Sequence, residues 1–111
     1  MDVPQTWQLD VDTGTLTGTT RDLWFRAVTA TERYFEPVNG AGIVHMGAVP
    51  PGFAGCSAAP FSASRIAVAA VPAGNFLCLR TAGGRFTELQ LMSPIGPSPG
   101  TMRLHVRTFG P

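Results

Sequence analysis

The chain of 111 residues holds eight arginines, seven carboxylates and no lysine, for a formal net charge of +1. A balance so near neutral leaves no electrostatic footprint for nucleic acid or an anionic membrane surface, and no apolar run approaches the ~18 residues of a membrane span. Charged residues are sparse at 14% and hydrophobic ones ordinary at 44%, while the 13 glycines and 10 prolines fall between apolar runs, as in chains of many short strands.

A chain of this length buries roughly two-thirds of its unfolded surface, so residues 1–111 are expected to form a single domain with a real core. The all-arginine basicity is read as codon usage in a GC-rich genome, with arginine forks for carboxylate or phosphate as the alternative. No basic-then-apolar leader follows Met1, so a signal peptide is expected to be either absent or already removed.

Residues 1–6 read as a frayed start. Trp7, Leu9 and Val11 then alternate with Gln8, Asp10 and Asp12, the pattern of a half-buried strand. The Thr/Gly-rich residues 14–20 predict a turn or extended loop. A second strand follows over 22–28, apolar on both faces at Leu23, Trp24 and Phe25, which places it near the middle of a sheet with Trp24 packed in the core. Residues 29–35 are the one place for a helical turn, since Ala30, Arg33 and Tyr34 have the spacing and Pro37 closes it. Val-Asn-Gly-Ala at 38–41 signals a turn before a strand over 43–46.

Pro50, Pro51 and Gly52 open a long irregular stretch to residue 64, broken only by Phe53 and Phe61; a loop of that length is either pinned by Cys56 or used by function. Residues 65–71 predict a strand, and Pro72-Ala73-Gly74 leads into the organising element of the chain, a hairpin over 75–92. Its apolar alternation puts Leu77, Leu79, Leu89 and Leu91 on one face. The expected register sets Leu79 opposite Leu89, Leu77 opposite Leu91 and Arg80 opposite Glu88, symmetric about Gly84, with an odd-numbered loop. Three prolines mark 93–100 as an exposed loop. In the last strand Met102, Leu104 and Val106 point one way and Arg103, His105 and Arg107 the other. The fold class is therefore all-β, a β-sandwich or small β-barrel of about seven short strands with at most one short helical turn.

Cys56 and Cys78 offer the only staple. A disulfide between them is the expectation, with two half-buried thiols as the alternative; if it forms, an extracellular or secreted location is favoured. Two cysteines and two histidines do not make a zinc site, and nothing in the sequence calls for a cofactor.

Asp12-Thr13-Gly14 is the sharpest motif, because Asp-Thr-Gly carries the catalytic carboxylate of aspartic proteases. A homodimer of retropepsin type through Asp12 is the catalytic alternative. Its context departs from that family in having Asp10 and Val11 before the motif and Thr15 after it. Otherwise Asp12 hydrogen-bonds its own turn. Asp10, Asp12 and Asp22 together form a weak calcium alternative, short of the six to eight oxygens the ion takes.

His45 and His105 stand on alternating strands without a nucleophile or carboxylate assigned to either. Trp7 and Tyr34 are candidate stacking residues for a sugar, and the Arg103, His105, Arg107 stripe a candidate surface for an acidic partner.

Several segments also resemble a known module. The run Trp7-Gln-Leu-Asp-Val-Asp-Thr-Gly14, then Asp22-Leu-Trp-Phe25, Arg33-Tyr-Phe-Glu-Pro37 with Asn39-Gly-Ala41, and Pro72-Ala-Gly74 with Leu77-Cys-Leu-Arg-Thr81 and Gly84-Arg85 is similar to a poorly characterised β module of actinobacteria and cyanobacteria. That module stands alone or is appended to larger proteins, including kinases and secreted proteins. The resemblance covers most of the chain and implies an accessory domain of interaction type. The expectation is a non-catalytic module that binds a protein or carbohydrate partner.

Overall fold

The computed structural model describes residues 1–11, 16 and 21–109. In chain order the strands are β1 (Asp2–Pro4), β2 (Gln8–Leu9), β3 (Leu23–Ala27), β4 (Arg33–Pro37), β5 (Gly42–Gly47), β6 (Ile66–Ala67), β7 (Phe76–Arg80), β8 (Phe86–Leu91) and β9 (Thr101–Thr108). One short helix, α1 (Gly52–Ser57), lies between β5 and β6, and a 3-10 turn at Val68–Ala70 follows β6. All pairing is antiparallel, in a five-stranded sheet ordered β1-β9-β8-β7-β5 and a four-stranded sheet ordered β2-β3-β4-β6.

Period-two alternation explains why these sheets pack on each other. Leu23 and Phe25 of β3 and Phe35 of β4 are buried from one side, and Ile43, Leu77, Leu79, Leu89, Leu91, Met102 and Leu104 from the other, in one hydrophobic cluster. Each such side chain contributes roughly 1.5–3 kcal/mol by leaving water. The arrangement is a two-layer sandwich, and among the described residues neither sheet closes into a barrel.

The central hairpin has the expected faces and a different register. Leu77 faces Leu89, Leu79 faces Thr87, and Arg80 faces Phe86 rather than Glu88. Ala82, Gly83 and Gly84 form an odd-numbered loop closed by Thr81 N–H to Arg85 O at 2.9 Å, so its symmetry centre is Gly83. Gly84 takes a φ of +86°, and the Thr81 hydroxyl accepts the Arg85 N–H at 3.2 Å. A shift of two residues between partners keeps strand parity, so every leucine stays on the inner face.

Four further segments differ from the sequence expectation. Residues 2–4 are not frayed: Val3 is fully buried opposite Met102, and that one apolar side chain holds β1 on the sheet edge. Residues 29–35 form no helical turn. Thr29 Oγ1 accepts the Glu32 N–H at 3.0 Å in a tight bend, and β4 then runs antiparallel to β3 with Phe35 opposite Phe25. There, cross-strand burial outweighs the helical spacing of Ala30, Arg33 and Tyr34. The strand expected over 65–71 shrinks to Ile66–Ala67, which pairs with β4 before the 3-10 turn. Trp24 points out of the core, because its neighbours Leu23 and Phe25 take the inward positions.

The single helix falls inside the stretch read as irregular. Cys78 and Glu88 face each other on the outer side of the five-stranded sheet, and α1 lies across them. A Cys56–Cys78 disulfide anchors it, the Glu88 carboxylate accepts the Gly52 N–H at 3.0 Å, and Phe53 packs edge-on against Phe86 and Phe109. The expected pinning by Cys56 is thus observed.

Candidate functional site

Thr6 is a turning point. With a φ of +76° it bends the chain out of β1, and Trp7 N–H closes the turn on Pro4 O at 3.1 Å. The chain then docks on the edge of β3, where Thr6 N–H donates to Phe25 O at 2.8 Å and Trp7 O accepts the Phe25 N–H at 3.0 Å. Leu9 and Val11 go into the core, as the alternation requires, whereas Trp7 lies before β2 at the rim and is 50% exposed.

An open groove of about 320 Å³ runs beside it, lined by Thr6, Trp7, Gln8, Leu16 and Arg21. Its wall is held from behind. The Trp24 indole N–H donates to Thr6 O at 3.1 Å, and Gln8 is the cross-strand neighbour of Trp24. The groove therefore offers one aromatic face, an amide, a hydroxyl and a guanidinium on a rim fixed by backbone hydrogen bonds.

The outer face of the four-stranded sheet continues from this rim. Arg26 lies over the Trp24 ring at 5.0 Å, and its Nη1 donates to both Glu36 carboxylate oxygens at 3.1 Å. Tyr34, opposite Arg26, is half-buried, and the Arg65 guanidinium stacks 3.9 Å over its ring. Cation–π contacts of this kind contribute roughly 0.5–1 kcal/mol at exposed sites. They also occupy a ring face that a sugar would need. Of the three aromatic rings on this side, Trp7 is the most open.

The sequence candidates fall into two groups that the fold does not bring together. Trp7 and Tyr34 belong to the four-stranded side. Arg103, His105 and Arg107 lie on the outer face of β9 in the other sheet. Arg103 Nε donates to Asp2 Oδ1 at 3.1 Å, Arg107 faces Glu88 and stacks over Phe109 at 5.1 Å, and His105 faces Gln90. His45 Nε2 is 2.9 Å from Asn75 Oδ1.

Asp10 and Asp22 are both buried where β2 leads away from β3. Asp22 Oδ2 accepts the Val11 N–H at 3.2 Å, and Asp22 N–H donates to Leu9 O at 2.8 Å. Asp12, and with it the Asp-Thr-Gly tripeptide and the third carboxylate of the calcium alternative, lies outside the described residues. Among those described, no group of three or more His, Cys, Asp or Glu side chains is placed to hold a metal ion.

Sequence reading missed Thr6, Gln8, Leu16 and Arg21 as groove residues, along with Arg65 as the cover of Tyr34. Proximity to Trp7 in sequence was a signal for Thr6 and Gln8. None existed for Arg65, which reaches Tyr34 only through the pairing of β6 with β4. No protein-family model, curated protein or solved structure matches the chain.

Proposed function

We propose that this chain is a non-catalytic accessory module that binds a carbohydrate at the Trp7 groove. The observation that carries the reading is an indole half open to solvent at the lip of a groove of about 320 Å³, beside the Gln8 amide and the Thr6 hydroxyl. A pyranose has an apolar face that packs on an indole and equatorial hydroxyls that meet side-chain donors and acceptors. Tryptophan supplies that contact area at low cost in conformational entropy. The Trp24-to-Thr6 hydrogen bond supports a preformed lip, which lowers the cost of binding. The Cys56–Cys78 disulfide supports an oxidising, extracytoplasmic setting.

Glycan-array binding of the purified chain tests the reading. Trp7→Ala is expected to weaken binding about 30-fold, the effect of an aromatic hot spot worth ~2 kcal/mol. Tyr34→Ala is expected to cost less, because Arg65 already covers one face of its ring. A blank array with the parent chain, or undiminished binding by Trp7→Ala, overturns it.

A further inference from the structure

A second cavity, of about 250 Å³, opens where the start of β4, the 3-10 turn, the Pro72-Ala73 turn, the end of β8 and the 93–100 loop converge. Its inner wall is Leu91 and Val71, both buried, and Val68 and Ile95 flank them half-buried. Among the described residues, Arg33 is the only ionisable side chain in the lining.

Arg33 is half-buried as a residue, and its Nη1 donates to Gly96 O at 2.7 Å in a hydrogen bond open to solvent. Among the described residues no carboxylate pairs with it. A guanidinium has five N–H donors in a planar fork, so one carbonyl leaves most of its hydrogen-bonding capacity unspent. Apolar walls lower the local dielectric and strengthen the pull on an anion.

The cavity is also tied in place by backbone hydrogen bonds. Gly74 N–H donates to Leu91 O at 2.6 Å, Leu91 N–H to Asn75 O at 3.0 Å, and Val71 N–H to Val68 O at 3.1 Å. A pocket fixed in this way does not need to be opened by its ligand.

We propose that this cavity binds a small organic carboxylate with a compact apolar body. The carboxylate sits on Arg33, and the hydrocarbon part lies against Leu91, Val71, Val68 and Ile95. At the ~30 Å³ a water claims in the liquid, the space takes roughly eight heavy atoms, the size of benzoate or hexanoate. Inorganic anions satisfy the arginine and leave the apolar wall wet, so they bind less well. The site uses none of the groove residues around Trp7 and stands independently of the carbohydrate reading.

The test is a ¹H–¹⁵N NMR titration of the whole chain with sodium benzoate, and separately with benzamide and inorganic phosphate. Benzoate is expected to shift the amides of Arg33, Val71, Leu91 and Ile95 saturably. Benzamide should bind about tenfold more weakly, since it lacks the charge-assisted contact. Arg33→Gln should lower benzoate affinity to the benzamide level, and Ala73→Phe at the rim should abolish the shifts with both. Trp7→Ala should leave them unchanged. Equal affinity for benzoate and benzamide in the parent chain overturns the proposal without reliance on any variant. So does the absence of shifts at the pocket, or phosphate competing as well as benzoate.

Discussion

Replacing Cys56 and Cys78 together by alanine removes the covalent tie between α1 and the five-stranded sheet. The bridge spans a sequence separation of 22. In the chain-entropy model a loop of that size contributes about 3 kcal/mol, by restricting the unfolded chain. A protein of 111 residues gains roughly 0.23 kcal/mol per kelvin in unfolding entropy at its midpoint, so the double variant should melt about 13 °C lower. Both sulfurs are fully buried, and their loss adds to that figure. Differential scanning calorimetry of the two proteins measures the shift directly. Hydrogen exchange locates it. A helix of six residues is far below the ~12–15 that hold together alone, and α1 has no side-chain N-cap. After the change its remaining polar and aromatic ties to the sheet, among the described residues, are the Gly52–Glu88 hydrogen bond and the Phe53 ring contacts. The amides of Gly55 and Ala58, which close on Pro51 O and Ala54 O, should therefore lose protection before the β7–β8 amides do. A melting point within about 3 °C of the parent, with protection of α1 unchanged, would refute the view that the disulfide holds the helix to the sheet.

Two other substitutions probe the sandwich itself. Phe25→Ala empties the position of a fully buried ring opposite Phe35 and should cost about 3–5 kcal/mol, seen as a lower urea midpoint at constant m-value. The adjacent glycines of the hairpin loop should behave differently. Gly84 has a φ of +86° and open space where a methyl group would stand, so Gly84→Ala is a pure backbone strain of about 1–2 kcal/mol. Gly83→Ala meets only Thr81 Oγ1 at 3.8 Å and should be neutral or slightly stabilising by urea unfolding. The reverse order would mean that the loop is not centred on Gly83.

Parity was legible in the sequence, and pairing was less so. Alternation placed Leu77, Leu79, Leu89, Leu91, Met102 and Leu104 on inner faces, and all are buried. The same pattern fits any register shifted by two, and the choice between them rests on loop geometry at Thr81 and Gly84, which hydrophobicity does not encode. β1 escaped notice because one buried valine in three residues makes no period. Tyr34 and its neighbours carried helical spacing and strand parity at once, and the decision came from Phe25, a partner earlier in the chain.

The candidate site was harder to read for a related reason. Alternation divides a strand between two faces, but it did not place Trp24, expected in the core, and what lies over an outward side chain is decided by tertiary structure. Tyr34 and Trp24 both leave the core, and each is then overlaid by an arginine, Arg65 brought in through β6 and Arg26 from within β3. Trp7 leaves it at a rim, before β2 begins, where the chain turns at Thr6. Arg33 is an inconspicuous residue at the start of a strand until the 93–100 loop folds over it and Leu91 closes the wall behind. Exposure of an aromatic ring and isolation of a cation are both tertiary properties. Each of the two sites rests on one of them: the sequence offered Trp7 as a candidate without its groove, and gave no sign of Arg33.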